Sequence, residues 1–286
     1  MKTAFIVLTY NRVDALLEVL RGLAPQCDAH RHEVLIADDG SRPENVQAMR
    51  DGLPDFACRV RHVWHPDTGF TIARARNLCA ARTDADYLVF MDGDCVPNRG
   101  FVAQHEALAR PGCFLIGGRV LLEEELTREV LQGHRALQAL RAADWMRLRL
   151  RGQANKLSHL LHGFGPRARE LKRFRWKGIR GCNMAFWRGD YEAVNGFDEA
   201  FAGWGHEDAD IVLRLHAHGV HRRSALIGTE VFHLWHRQAA RQDEAANRRR
   251  VIERQASGQV RAERGVRQAL DAPEAQVTEL NPAWRD

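Results

Sequence analysis

The chain has 286 residues, of which 45% are hydrophobic and 28% charged, and a formal net charge of +5. This is ordinary globular composition, with length for one large α/β domain or two small ones. No apolar run approaches the roughly 18 residues a transmembrane helix needs. The opening MKTAFIVLTYNR breaks its apolar run at Thr9, Asn11 and Arg12, unlike a signal peptide, so a cytosolic start is expected.

Residues 4–8 form a short apolar run ending in Thr-Tyr-Asn, the pattern of a buried strand. Val13, Leu16, Leu17 and Leu20 then fall on one face of a helix. Residues 33–37 predict a second buried strand, ending in Asp38-Asp39-Gly40-Ser41. A third strand is expected over 59–64, a helix over 72–81, and a fourth strand over 87–91, ending in Asp92-Gly93-Asp94. Strands alternating with helices imply βαβ units and a largely parallel sheet, whose ligands bind outside the carboxyl ends of its strands. The polar clusters at 9–11, 38–41 and 92–94 therefore mark one candidate site.

Residues 113–122 predict a further strand, after which the pattern changes. Residues 127–177 read as helical and basic, without a strand. Leu157, Leu160, Leu161 and Phe164 repeat the helical spacing before Gly165-Pro166 breaks it. Between Arg141 and Arg180 twelve Lys/Arg face two acids, Asp144 and Glu170, so this stretch carries +10 and the remainder about −5. Such a block asks for an anionic partner. Residues 178–236 return to mixed structure, and 237–270 read as a polar, Arg-rich surface helix. The six cysteines, Cys27, Cys58, Cys79, Cys95, Cys113 and Cys182, contain no CxxC pair, which argues against a zinc ribbon and fits a reducing compartment.

Four motifs carry chemistry. Asp92 and Asp94, two carboxylates at i and i+2 on a strand end, suit a hard cation such as Mg²⁺ or Mn²⁺. The alternative is a solvated Asp-Gly turn. Asp39 can accept hydrogen bonds from a base or ribose, or merely cap its turn. Glu207, Asp208 and Asp210 open a predicted helix behind Phe-Ala-Gly-Trp-Gly. They can compensate the helix dipole or, with Trp204 as an aromatic platform, grip a sugar. His233 and His236 end another predicted strand, and one of them can be a metal ligand.

Together these residues match a known family. IVLTYNR, IADDGSR, GFTIARARN and MDGDCVPN resemble glycosyltransferase family 2, which has the GT-A fold: a Rossmann-like, mostly parallel central sheet flanked by helices. GCNMAFWR, NGFDEAFAGWGHEDADIVLRL and VFHLWH resemble a galactosyltransferase-type C-terminal segment. Bacterial chondroitin-polymerase domains are similar in combining both halves in this order. The motifs span residues 4–236, with the basic stretch 127–177 as a helical insertion outside them. The expected organisation is a GT-A domain over 1–236 and a polar helical tail over 237–286. Within the domain, 1–122 is the nucleotide-binding half and 178–236 the acceptor-binding and catalytic half.

The resemblance implies an inverting, metal-dependent transfer of a hexose or N-acetylhexosamine from a nucleotide-sugar donor, UDP favoured, to a saccharide or glycolipid acceptor in envelope or surface polysaccharide synthesis. It places Thr9, Asp39, Arg76, Asn77 and Asp92 on the nucleotide and Asp94 and His233 on Mn²⁺ or Mg²⁺. It puts Trp204 and Glu207 on the acceptor and makes Asp208 the catalytic base. His236 is the alternative ligand. His206 departs from relatives, which often carry Gly there. A nucleotidyltransferase would not need the Trp204–Asp208 motif, and no nucleic-acid module surrounds the basic block, so no nucleic-acid partner is expected. Residues 156–177 combine an apolar face with Arg167, Arg169, Lys172, Arg173, Arg175 and Lys177, the composition of an interfacial segment docking on an anionic membrane. A helical insertion packing its leucines on the domain is the competing reading.

Overall fold

The structure is a computed structural model. It describes residues 1–164, 167–171, 173–174, 179–237, 241–282 and 284, the side chains of 162–169 excepted. In chain order it begins with β1 (Thr3–Thr9), α1 (Val13–Leu23), β2 (His32–Asp38), α2 (Pro43–Asp51), β3 (Arg59–Trp64), α3 (Ile72–Ala80) and β4 (Tyr87–Asp92). Apart from α2, these are the alternating strands and helices the sequence predicts. β1 pairs in parallel with both β2 and β4, and β2 with β3, giving the order 3-2-1-4. Side chains alternate across this parallel nucleus. Phe5, Val7, Val34, Ile36, Val89 and Met91 enter one apolar layer, and Ala4, Ile6, Leu35, Ala37, Leu88 and Phe90 the other. Both faces are covered, so the strands read as continuous apolar runs rather than alternating ones. α1 seals the first layer with Leu16, Val19, Leu20 and Leu23.

The second half follows as β5 (Cys95–Pro97), α4 (Phe101–Leu108), β6 (Cys113–Gly117), β7 (Arg119–Leu121), α5 (Glu124–Leu131), α6 (Ala142–Leu150), β8 (Arg167–Leu171), β9 (Asn183–Trp187) and α7 (Arg188–Ala193). Then come α8 (Glu207–Ala217), β10 (His221–Ile227), β11 (Val231–His233), α9 (Glu244–Ser257), α10 (Val266–Leu270) and β12 (Gln276–Glu279). Among the described residues the main sheet has nine strands, ordered β12-β3-β2-β1-β4-β9-β6-β10-β8, beside a small sheet β5-β11-β7. β9 enters antiparallel between β4 and β6, so the parallel pairing is concentrated in the N-terminal half.

Three expectations change. The run 113–122 is two strands in two sheets, parted at Gly117 and Gly118. The basic insertion is not wholly helical: Arg167–Leu171 pairs antiparallel with β10 at the sheet edge. Its Arg-Ala-Arg-Glu-Leu sequence lacks an apolar period because an edge strand can keep charged residues in water. The tail is not a helical appendix either. β12 closes the other edge against β3, α10 packs on α3, and Arg254 of α9 pairs with Asp198 and with Asp210, the latter at 3.2 Å.

The insertion is anchored through Trp145, buried and stacked on Phe232 of β11 with ring centroids 4.5 Å apart and planes 16° apart. Leu157 and Leu160 pack on the same core, and Phe174 on the neighbouring apolar clusters. Residues 158–164 form a 3₁₀ helix, so the predicted α-helical face does not form, and Leu161 alone of the three described leucines is exposed. Lys172, Arg175, Trp176 and Lys177 lie outside the described residues, as do the side chains of Phe164, Arg167 and Arg169. Among the described residues no helix is long and apolar enough to cross a membrane.

Candidate active site

The ends of β1, β2 and β4 stand side by side, and the structure brings the three predicted polar clusters together at the carboxyl edge of the sheet. The Asp39 amide donates to the Thr9 carbonyl at 3.0 Å. The Asp39 carboxylate accepts from the Thr71 amide at 2.9 Å and the Thr71 hydroxyl at 2.6 Å, with His65 Nε2 3.1 Å away. Asp39 is therefore buried and held by its own chain, leaving little of its accepting capacity for a base. Asn11 takes a left-handed backbone (φ 52°) and joins β1 to the β2 turn through the Ser41 hydroxyl at 2.8 Å. Glycine at 93 is a packing requirement: a Cβ there would lie 2.4 Å from the Leu8 carbonyl oxygen.

Arg76 connects this edge to the helix-start acids. Its buried guanidinium donates to Asp92 Oδ1 at 2.9 Å and to Glu207 Oε1 at 3.3 Å, and lies 5.1 Å from the Phe197 ring centre. Burial opposes its charge, but the two carboxylates raise its pKa on balance. Burial pushes the Glu207 carboxyl up to about 7, helped by the Asp208 charge and resisted by Arg76. Burial, then the Asp94 charge, raises Asp92 against the pull of Arg76. Asp208 is half-buried and fixed by two amides: Gly181 N–H reaches Oδ2 at 2.9 Å and Ala209 N–H reaches Oδ1 at 2.7 Å.

Asn77, expected beside the nucleotide, is fully buried away from this cluster. It donates to the Phe197 carbonyl at 2.9 Å and to Glu199 at 3.1 Å, and accepts from the Tyr191 hydroxyl at 2.6 Å. It fixes the chain that leads to the Trp204 loop. That loop is pinned by Gly203 N–H on the Phe70 carbonyl (3.1 Å) and by Asn247 on the Ala202 carbonyl (3.1 Å). The Arg241 guanidinium lies over the Trp204 ring at 4.4 Å, covering one face. His206 has φ 72° at the N-cap of α8, a left-handed position where a glycine would be free of the Cβ penalty.

Asp94, His233 and His236 converge, their ligand atoms all within 4.8 Å of one another. His233 Nε2 is 3.9 Å and His236 Nε2 3.3 Å from the Asp94 carboxylate. β11 sets this up by pairing His233 with Cys95, and Leu234 N–H donates to the Asp94 carbonyl at 2.9 Å. Burial first, then the Arg119 and His236 charges, lower the His233 pKa against Asp94, favouring the neutral ring a metal needs. One carboxylate and two imidazoles form a donor set that fits a divalent transition metal. Both histidines are in reach, where sequence reasoning had to choose between them. Arg12 Nη1, 3.5 Å from Asp94 Oδ2, is a neighbour the sequence reading passed over. Its signal was its place directly after the Thr-Tyr-Asn strand end.

The sequence matches the profile described as "Glycosyl transferase family 2" over residues 4–174 and one described as "N-terminal domain of galactosyltransferase" over 168–237. The first match runs through most of the basic stretch, which therefore lies inside the resemblance, not outside it. Validoxylamine A glucosyltransferase of Streptomyces hygroscopicus subsp. jinggangensis is 29% identical over 235 residues, covering 75% of this chain and 51% of that protein. Chondroitin synthase of Escherichia coli is 24% identical over 243 residues, covering 77% of this chain and 33% of that one. The chain thus spans about half the length of the first relative and a third of that of the second. Among solved structures, the mannosyltransferase PcManGT of Pyrobaculum calidifontis, in complex with GDP-Man and Mn²⁺, superposes with a TM-score of 0.52 at 17% identity. That superposition covers 94% of this chain and 68% of PcManGT, and shows a shared GT-A fold. With the family 2 match taking in more than half of its residues, this chain belongs to glycosyl transferase family 2.

Proposed function

We propose that the protein is a metal-dependent inverting glycosyltransferase that moves a hexose or N-acetylhexosamine from a nucleotide sugar, UDP-linked by preference, to an acceptor hydroxyl. One observation carries this reading: Arg76 ties Asp92, beside the Asp94–His233–His236 donor set, to Glu207, beside Asp208. A candidate cation-binding edge and a candidate base are thereby linked through one buried guanidinium. Thr9, Asp39 and Asp92 belong to the nucleotide side, with Arg76 behind them. Trp204 and Glu207 border the acceptor side. Two imidazoles in the donor set favour Mn²⁺ over Mg²⁺, which prefers oxygen ligands. When bound there, a divalent cation offsets negative charge on the diphosphate leaving group.

Asp208, oriented by the Gly181 and Ala209 amides, takes the acceptor hydroxyl proton as that oxygen attacks the anomeric carbon. Among the described residues of this cluster, Glu207 and Asp92 are bound to Arg76 and Asp94 belongs to the cation donor set, which leaves no second carboxylate free to act as nucleophile. Direct displacement then inverts the anomeric centre.

Six buried, unpaired cysteines support a reducing, cytosolic setting. Relatives named for polysaccharide synthesis support an envelope or surface-polysaccharide pathway with a saccharide or glycolipid acceptor. Peripheral contact with an anionic membrane rests on the basic half of 156–177 alone, because Leu157 and Leu160 are turned into the core. The deciding experiment incubates purified protein and Mn²⁺ with a panel of nucleotide sugars and reads the nucleotide released. Free UDP or GDP supports sugar transfer, and pyrophosphate would overturn it in favour of nucleotidyl transfer.

A further inference from the structure

Arg119 and Arg180 gather around Lys156, a cluster of three cations. Arg119 sits on β7 in parallel register with Val231, while His233, two residues along β11, aligns with Leu121. Aligned residues of neighbouring strands point to the same face. With Val120 and Phe232 in the core, Arg119 and His233 share the opposite face as diagonal neighbours. Lys156 is brought alongside β7 by Asn155, whose side chain accepts from the Leu121 amide at 2.9 Å and whose amide donates to the Leu121 carbonyl at 3.1 Å. Arg180 directly precedes Gly181, the residue whose N–H holds Asp208.

Arg119 and Lys156 are half-buried and Arg180 is exposed. Among the described residues, none of the three makes a side-chain hydrogen bond or ion pair. Burial, followed by the Arg180 and Arg119 charges, lowers the Lys156 pKa, so the three fields overlap. Glu230 is the acid that opposes them; its Oε2 accepts from the Gly228 amide at 2.7 Å, while its buried Oε1 has no hydrogen-bond partner among the described residues. Around Lys156, these three cations face the single acid Glu230, which leaves a local excess of positive charge. Holding like charges together unpaired costs stability, which an anionic ligand would offset.

We propose that Arg119, Lys156 and Arg180 form an anion subsite that binds the carboxylate or phosphate of an acidic saccharide acceptor. This rests on the glycosyltransferase reading above. The acceptor is the source, not the donor diphosphate, for two reasons. A donor diphosphate would already be served by Arg12 and by a cation that Asp94, His233 and His236 would hold. Arg180 flanks the base Asp208 and not the β1 and β2 strand ends that border the nucleotide.

The test measures binding by calorimetry in the presence of Mn²⁺ and UDP, so that it needs no turnover. Three probes are used: a disaccharide ending in a hexuronic acid, its hexose-ended counterpart, and a glycosyl phosphate. The wild type should bind at least one acidic probe about tenfold more tightly than the neutral one, and the arm that shows the preference tells carboxylate from phosphate. In the triple variant Arg119→Gln, Lys156→Gln, Arg180→Gln the preference should fall to within about twofold, as it should for wild type at high salt. UDP affinity should match wild type, and the thermal midpoint should not fall below it. Equal wild-type affinity for acidic and neutral probes, or a preference that survives in the variant, would overturn the subsite. A variant that loses UDP affinity while keeping its acceptor preference would reassign the three cations to the donor and overturn it too. If neither UDP nor GDP binds the wild type, the transferase reading falls and this subsite with it.

Discussion

The Gly181 amide donates to Asp208 Oδ2 at 2.9 Å, joining the loop before β9 to the first turn of α8. With Ala209 N–H on the other oxygen at 2.7 Å, the carboxylate has a fixed direction before any substrate arrives. Asp208→Asn keeps the size and one accepting oxygen of this group but removes the proton acceptor. Transfer should fall about 10²- to 10⁴-fold while the UDP dissociation constant stays within about twofold. Steady-state kinetics with isothermal titration would check this, and a wild-type turnover number in the Asn variant would move the base elsewhere.

Glu207 sets a pH dependence of stability. Its carboxyl is pushed up to about 7 in the fold, from an ordinary value of 4.5, chiefly by burial. Between those two values the unfolded chain releases a proton that the folded protein keeps, so stability falls as pH rises through this window. The slope approaches about 1.4 kcal/mol per pH unit for one group. Glu207→Gln lacks this group. Its thermal midpoint should change less than that of wild type between pH 5 and pH 7.5, and parallel curves for the two proteins would refute the assignment.

The parallel nucleus and its strand-end clusters were legible because a doubly covered sheet forces long apolar runs, and carboxyl ends collect polar residues. Three kinds of feature were not. Arg167–Leu171 and Gln276–Glu279 are edge strands whose polar sequences carry no period to read. Asn77 follows Arg76 directly, so its motif position suggested one role, yet helical geometry turns the two side chains to different partners: Asp92 for Arg76, Phe197 for Asn77. The backbone donor at Gly181 has no side-chain signature at all. The choice between His233 and His236 needed the chain's turn after β11, which brings both to Asp94.

Both histidines should therefore matter. Asp94→Ala should weaken Mn²⁺ binding most, since it removes the only carboxylate of the set. His233→Ala and His236→Ala should each raise the Mn²⁺ concentration for half-maximal turnover by about ten- to a hundredfold, the scale on which changes around a metal site act. Activity titrated against Mn²⁺, with Mg²⁺ in parallel, reads this directly. An unchanged Mn²⁺ requirement in His236→Ala would leave His233 and Asp94 as the protein ligands.

Leu157 and Leu160 distinguish a structural insertion from a membrane anchor. Both pack against the core that includes Trp145 and Phe232, with Leu161 left outside. Replacing both with Ala removes apolar contact worth about 1–2 kcal/mol each for partly buried side chains. The thermal midpoint should drop by several degrees, at about 2–4 °C per kcal/mol for a domain of this size. Recovery of the folded protein on phosphatidylglycerol vesicles in a flotation assay should not change. Any vesicle binding should instead respond to salt and to Arg169→Gln, Lys172→Gln, Arg173→Gln and Arg175→Gln made together, because charge attraction to an anionic surface is screened over about 10 Å at 0.1 M salt. The opposite pattern, unchanged melting with lost flotation in the Leu157→Ala, Leu160→Ala variant, would show that these leucines leave the core and enter the lipid.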